Sequence, residues 1–133
     1  MMRYLLDTNA VSHAIRGTFP RFRERFQSIY LDEVAVSVVT EAELLFGLAR
    51  RPSAHELAHA VHELLSRITI LPWTSGAAKA YADLRFALEV KGQPMGAMDM
   101  MIAAQALAED FVLVTNDAAF QRIERLKVED WTR

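Results

Sequence analysis

Short apolar runs that alternate with longer stretches of helical periodicity constrain this chain most. Runs at 4–6, 34–37, 68–71 and 111–115 have the length and side chains of buried strands. Between them, the 3.6-residue period predicts helices over about 10–16, 21–29, 40–50, 53–66, 76–91 and 99–109. A short helix and a final extended segment at 127–129 end the chain. Helices between strands imply right-handed crossovers. We therefore expect an α/β fold with a central, mostly parallel sheet of four to five strands flanked by helices.

Residues that start and stop helices give these predicted elements their boundaries. Gly17 closes the first helix and Pro52 stops the third. Thr40 and Glu43 have capping-box spacing, so the third helix is expected to open there. Ser53 is expected to cap the fourth.

Length and composition indicate one domain over residues 1–133 with its own core, since 52% of the residues are apolar. There is no cysteine, which excludes thiol catalysis, cysteine-bound zinc and disulfides. The opening apolar run meets Asp7 too early for a signal peptide, and no run reaches the roughly 18 residues that cross a bilayer. We expect a soluble, cytoplasmic protein that makes no membrane contact.

The formal net charge of −2 argues against a protein that coats nucleic acid through bulk electrostatics. It does not exclude a nuclease, because acids gathered in one pocket would mask a basic surface elsewhere. Basic residues occur in three groups, and the simplest interpretation of each group is a solvated helix face. The groups are Arg16, Arg21, Arg23 and Arg25; Arg50 and Arg51; and Arg122, Arg125 and Lys127.

Four acids lie where the predicted strands end or the predicted helices begin. Asp7 follows the first strand, Glu43 lies in the first turn after the second, Asp99 starts a helix, and Asp117 follows the last long strand. Ligands of parallel sheets bind at the carboxyl ends of the strands. Each acid also has a local explanation, because Glu43 fits a capping box, Asp99 and Asp117 fit N-caps, and Asp7 fits an Asx turn with Asn9. Together they predict a carboxylate cluster whose repulsion would be costly without cations.

Such a cluster suits Mg²⁺ or Mn²⁺, which prefer carboxylate oxygen and keep water ligands. A bound ion can make water nucleophilic at a phosphodiester, so no covalent nucleophile is needed. We hypothesise that all four acids are catalytic, that Asp7 and Asp99 hold the principal ion, and that Glu43 and Asp117 serve a second ion or the water. Small polar neighbours would orient the acids and waters. They are Thr8, Asn9, Ser37, Thr40, Thr115 and Asn116.

Four segments resemble the motifs of PIN-domain ribonucleases, in the right order and spacing. Residues 6–9 read LDTN, 37–47 read SVVTEAELLFG, 92–103 read GQPMGAMDMMIA and 114–120 read VTNDAAF. All four acidic positions are filled, and the likeness extends to the Glu129–Trp131 tail. It is strongest to the VapC toxins of bacterial toxin–antitoxin pairs.

This resemblance implies a divalent-metal endoribonuclease that often acts on tRNA and works as a homodimer. It also implies silencing by a VapB antitoxin, whose C-terminal segment enters the acidic pocket, often with an arginine. Hydrolysis by activated water would leave a 5′-phosphate and a 3′-hydroxyl.

Other functions fit parts of the sequence. His55, Glu56 and His59 spell the H-E-x-x-H motif of zinc proteases, with His62 as a possible third ligand. These histidines fall opposite an apolar helical stripe, which favours a solvated face. A phospho-acceptor signalling domain would want a lysine near the acids, and none lies in the loops after the strands. An inactive interaction domain is disfavoured by the presence of all four acids.

Overall fold

The computed structural model describes residues 2–133, in which five strands form a single sheet. The strands are β1 (Tyr4–Leu6), β2 (Val34–Ser37), β3 (Thr69–Leu71), β4 (Val112–Val114) and β5 (Val128–Glu129). Their order is β3-β2-β1-β4-β5, and every neighbouring pair is parallel. The expected α/β fold with a parallel sheet is therefore confirmed.

Six α-helices connect and cover the strands. They are α1 (Thr8–Arg16), α2 (Pro20–Gln27), α3 (Val38–Ala49), α4 (His55–Arg67), α5 (Ser75–Val90) and α6 (Ala97–Glu109). Two short 3-10 helices, Leu31–Glu33 and Ala118–Arg122, precede β2 and follow β4. The long helices of the described chain are too short or too polar to span a bilayer.

Two helix starts differ from the predictions because other residues satisfy the free backbone N–H groups. Ser37 caps α3 by accepting a hydrogen bond from the backbone N–H of Val39, so the helix begins before Thr40 and the predicted capping box is wrong. The expected cap of α4 at Ser53 is also wrong. That helix starts at His55, and its N-cap residue, Ala54, makes no side-chain hydrogen bond.

The sheet separates two apolar cores because successive side chains of a strand point to opposite faces. Tyr4 and Leu6 join the core under α1 to α4, whereas Leu5 joins the core under α5 and α6. β2 and β4 divide in the same way, with Ala35 and Leu113 on the α5–α6 side. Both faces are thus covered, which leaves the strand ends to form a site.

The order of the strands marks one position at the carboxyl edge of the sheet. The chain runs from β1 outward to β2 and β3, then returns to add β4 and β5 on the other side of β1. Parallel sheets bind ligands where the order reverses in this way, because the connecting helices leave a crevice there. In this protein the crevice lies at the carboxyl ends of β1 and β4.

Candidate active site

Asp7 lies in this crevice, directly after the central strand. Its backbone N–H donates to the carbonyl of Val114 at 3.2 Å, which extends the pairing of β1 with β4. Its side chain caps α1, with Oδ1 accepting from the N–H of Ala10 at 2.7 Å. The carboxyl group is therefore held by a helix start rather than by the Asx turn with Asn9 considered from sequence.

The environment of Asp7 opposes its negative charge. Only 5% of the residue is exposed, and burial raises the pKa of its carboxyl group from 3.8 to about 6. Hydrogen bonds from Thr115 and Ala10 work in the opposite direction, and the charges of Asp99 and Asp117 raise the pKa further. A carboxylate that is buried and repelled in this way would gain from a nearby cation.

Glu43 is joined to the first residue of α1 through a side-chain hydrogen bond. The Thr8 hydroxyl donates to Oε1 of Glu43 at 2.7 Å, which links residues 35 positions apart. Because α3 begins at Val38, Glu43 lies in its second turn and does not close a capping box. Its carboxylate therefore faces the start of α1.

Asp99 lies in the first turn of α6, where the N-cap position belongs to Gly96. It therefore does not cap that helix, and the N-cap explanation considered from sequence is wrong for this residue. Burial raises the pKa of the half-buried carboxyl group, and the charges of Glu43 and Asp117 add to the effect. Asp99 thus lies near enough to the other acids for their charges to act on it. In the chain its helix, α6, is separated from the edge strand β3 by α5.

Asp117 does act as a cap. Its Oδ1 accepts from the N–H of Ala119 at 2.9 Å, at the start of the 3-10 helix after β4. Its own N–H donates to the hydroxyl of Thr115 at 3.1 Å. The side chain is exposed, yet its charge acts on both Asp7 and Asp99. The local explanation and the cluster therefore both hold for Asp117.

The predicted orienting residues divide into three groups. Thr8 and Thr115 contact the acids directly, since the Thr8 hydroxyl donates to Glu43 and the Thr115 hydroxyl accepts from the N–H of Asp117. Ser37 is used as the cap of α3, and Thr40 is fully buried with no hydrogen-bond partner for its hydroxyl among the described residues. The other two are exposed. They are Asn9, in a groove beside the site, and Asn116, which directly precedes Asp117.

The donor set suits a hard divalent cation, with one restriction. Among residues 2–133, no three His, Asp or Glu side chains are grouped so that they could hold an ion by themselves. Mg²⁺ commonly takes only one or two carboxylates and completes its shell with water and substrate phosphate. The four acids fit an ion held in that way, and they do not form a closed cage such as a structural zinc site requires.

The H-E-x-x-H motif is placed differently. His55, His59 and His62 are all exposed on α4, while Val61 and Leu65 on the opposite face are buried in the core. The helix thus has the solvated histidine face expected from its periodicity. A catalytic zinc would have no walled cleft there.

Comparison with known proteins agrees with this geometry. Residues 4–126 match the family model of the PIN domain. The chain is 31% identical to the tRNA(fMet)-specific endonuclease VapC of Shigella flexneri over 133 residues, which is 99% of this chain and 100% of that protein. It therefore belongs to the PIN-domain family, among the VapC ribonucleases, as the sequence motifs predicted.

Solved structures give the same result. VapBC from Salmonella typhimurium, bound to DNA, contains a chain that superposes with a TM-score of 0.90 at 32% identity, covering 98% of this chain and 99% of the other. VapBC2 from Rickettsia felis, bound to a promoter DNA fragment, gives a TM-score of 0.87 at 31% identity, covering 96% and 98%.

Proposed function

We propose that this protein is the toxin of a VapBC-type pair and hydrolyses RNA phosphodiester bonds with the help of a divalent cation, Mg²⁺ or Mn²⁺. The observation that carries the proposal is the approach of four carboxylates at the carboxyl ends of β1, β2 and β4. They come from the end of β1, from α3, from α6 and from the loop after β4. Family membership supports the same activity, and a relative's name supports tRNA as the substrate class.

In this proposal Asp7 and Asp99 would hold the principal ion, and Glu43 and Asp117 would serve a second ion. When bound, such ions supply a more acidic water and neutralise charge that develops on the phosphodiester. The chain's own residues provide the orientation. The N–H of Ala10 fixes the Asp7 carboxylate, so it meets the site with its orientation already set.

Glu43 is the group best placed to accept a proton from the attacking water. The Thr8 hydroxyl occupies one side of its Oε1, which leaves its remaining lone pairs for a water. Water attack would produce a 5′-phosphate and a 3′-hydroxyl. The 2′-hydroxyl is not the nucleophile in this scheme, so the products distinguish it from cyclising ribonucleases.

The partners follow from the same family. We infer a homodimer, and we infer control by a VapB-type antitoxin whose C-terminal segment enters the acidic crevice. Solved VapBC complexes of similar toxins support this assembly. An arginine from such a segment would be attracted by the four carboxylates and would occupy the place of the cations.

No feature of the structure favours the alternatives. The histidines of the protease motif are solvent-exposed. A phospho-acceptor domain would need a lysine by the acids, whereas Lys91 pairs with Glu124 and Lys127 pairs with Asp110.

The test is cleavage of a labelled tRNA pool by the purified chain, with and without Mg²⁺ or Mn²⁺, beside the Asp7→Asn variant. Wild-type protein should cut only with the metal and leave 5′-phosphate ends, and the variant should be inactive. Cleavage in the presence of EDTA, or equal cleavage by the variant, would refute the proposal.

A further inference from the structure

A groove of about 420 Å³ leads away from the acidic crevice between α1, α3 and α4. Thr8 and Glu43 line one part of it. Arg16, Arg50 and Arg51 line another part, and we call this cavity the arginine groove. It therefore combines the edge of the candidate active site with three cations, one from the end of α1 and two consecutive ones from the end of α3.

The helices determine the direction of this groove. Both α1 and α3 start at the carboxyl edge of the sheet, and the arginines lie at their far ends. At a rise of about 1.5 Å per residue, Arg50 is roughly 10 Å beyond Glu43 and Arg16 is roughly 12 Å beyond Thr8 along the helix axes. In duplex DNA each strand carries a phosphate about every 3.4 Å along the helix axis, so a strand stacked in that way would place about three phosphates over this distance.

The charges of these arginines are not neutralised by the protein. Within residues 2–133, the guanidinium groups of Arg16, Arg50 and Arg51 form no ion pair and no hydrogen bond. The Arg50 group lies over the ring of Phe46, 5.3 Å from its centroid, which holds it in place without removing its charge. All three residues are exposed.

A role at helix ends explains these residues only in part. A cation at the end of a helix stabilises the helix dipole; Arg16 lies in the last turn of α1 and Arg50 is the C-cap residue of α3. That role does not require three arginines from two helices to face one groove, nor does it require the groove to open onto Glu43. An RNA strand with a phosphodiester at the acids, in contrast, must continue along the protein surface next to them.

We propose that the arginine groove binds the RNA backbone on one side of the cleaved bond, with Arg16, Arg50 and Arg51 contacting successive phosphates. The inference rests on the proposed ribonuclease activity and extends it to the substrate's path. The three arginines position the RNA and do not touch the reacting atoms. Binding in this groove should depend on charge and not on base sequence, because the guanidinium groups contact the backbone and not the base edges.

The test measures RNA affinity against salt concentration. The experiment uses the full-length chain carrying Asp99→Asn, in EDTA, so that the RNA stays intact. In this background Arg16, Arg50 and Arg51 are changed together to Gln. Fluorescently labelled mixed tRNA is the probe. Each lost phosphate contact should reduce the slope of log K against log salt by about 0.7 to 0.9. The triple variant should therefore lose about 2 from the slope and bind more than about tenfold more weakly at low salt.

The matched control removes the same charge elsewhere. Arg67 ends α4 before the edge strand β3, Lys79 lies in α5, and Lys127 precedes the opposite edge strand β5; none of the three lines the arginine groove. Changing these three to Gln should leave the slope within about 0.5 of the parent, and circular dichroism melting should show all variants folded. Equal slope changes in groove and control variants would overturn the proposal.

Cleavage distinguishes this inference from the proposed function. With Asp99 intact, the groove variant should raise KM for tRNA and leave kcat nearly unchanged. If wild-type protein does not cut at all, the proposed function fails whatever the slopes are. If wild-type protein cuts and the groove variant has an unchanged KM, only the groove proposal fails. A groove that ignores RNA but binds a poly-glutamate peptide would belong to an acidic protein segment, and this too would overturn it.

Discussion

Neutralising Asp7 without changing its shape should stabilise the protein when no divalent ion is present. Asp7→Asn keeps an oxygen for the N–H of Ala10, and Asn is as good an N-cap as Asp. It removes a charge that burial and the neighbouring acids Asp99 and Asp117 disfavour. Loss of that charge near a catalytic ion should at the same time abolish cleavage.

The magnitude follows from the pKa of the Asp7 carboxyl group, which rises from 3.8 to about 6. Each pKa unit corresponds to about 1.4 kcal/mol, so the ionised group costs the folded state about 3 kcal/mol at neutral pH. The variant loses a favourable charge–dipole interaction of about 0.3 to 1 kcal/mol at the start of α1. A net gain of about 2 kcal/mol should raise the melting temperature by roughly 8 °C for a chain of this length.

The stability that Asp7→Asn gains over the wild type should increase with pH. Because the folded state binds the proton more tightly than the unfolded state, protonation of Asp7 stabilises the wild type below pH about 4. That contribution is lost as the pH rises through about 6. The advantage of Asp7→Asn should therefore be largest near pH 7 and should disappear near pH 4.

Urea unfolding of both proteins in EDTA, at pH 4 and pH 7, measures these differences. Asp99→Asn is a useful companion, since burial and the same repulsion raise the pKa of Asp99. If Asp7→Asn is less stable than wild type at pH 7, the Asp7 carboxylate acts mainly as a helix cap, and the reasoning from repulsion is refuted.

Four further variants test Thr8, Asp117 and the histidines of α4. Thr8→Val removes the 2.7 Å hydrogen bond to Glu43, so kcat should fall about tenfold with little change in KM or in the melting temperature. An unchanged kcat would show that this hydrogen bond does not orient the Glu43 carboxylate. Asp117→Asn keeps the helix cap and removes the charge, whereas Asp117→Ala removes the cap and the charge. Both variants should slow cleavage, but only Asp117→Ala should lower the melting temperature. In the double variant His55→Ala with His59→Ala, each substitution should change the free energy of unfolding by less than about 0.5 kcal/mol, and tRNA cleavage should stay intact. A zinc-dependent proteolysis that is lost in this variant would contradict the assignment of these histidines to a solvated face.

The fold could be predicted because each strand has its own local signal. Residues such as Val34, Val112 and Val114 mark short, fully buried strands, and the helices between them require parallel crossovers. The approach of the acids followed from the same rule, since the carboxyl ends of neighbouring parallel strands meet at one edge. The local pattern of strands and helices thus already implied that acids distant in the sequence meet at one edge of the sheet.

The details that sequence did not provide depend on competition between neighbouring groups. Ser37 and Thr40 are both good helix caps, and only the buried position of the Ser37 hydroxyl next to Val39 N–H decides between them. The contact between Thr8 and Glu43 joins two helices whose relative rotation depends on core packing.

The arginines show the same limit. Arg16 and the pair Arg50 and Arg51 belong to different basic groups in the sequence, and nothing local indicates that α1 and α3 bring them to one groove. Convergence of this kind depends on how helix faces pack, which has no signature in any single segment.

Binding of Mn²⁺ at pH 7, followed by the electron paramagnetic resonance signal of the free ion, tests the central claim most directly. The wild-type chain should remove at least one equivalent of Mn²⁺ from solution, and Asp7→Asn and Asp99→Asn should each weaken that binding strongly. Equal binding by the wild type and both variants, or no binding by the wild type, would contradict a divalent-cation site at these carboxylates.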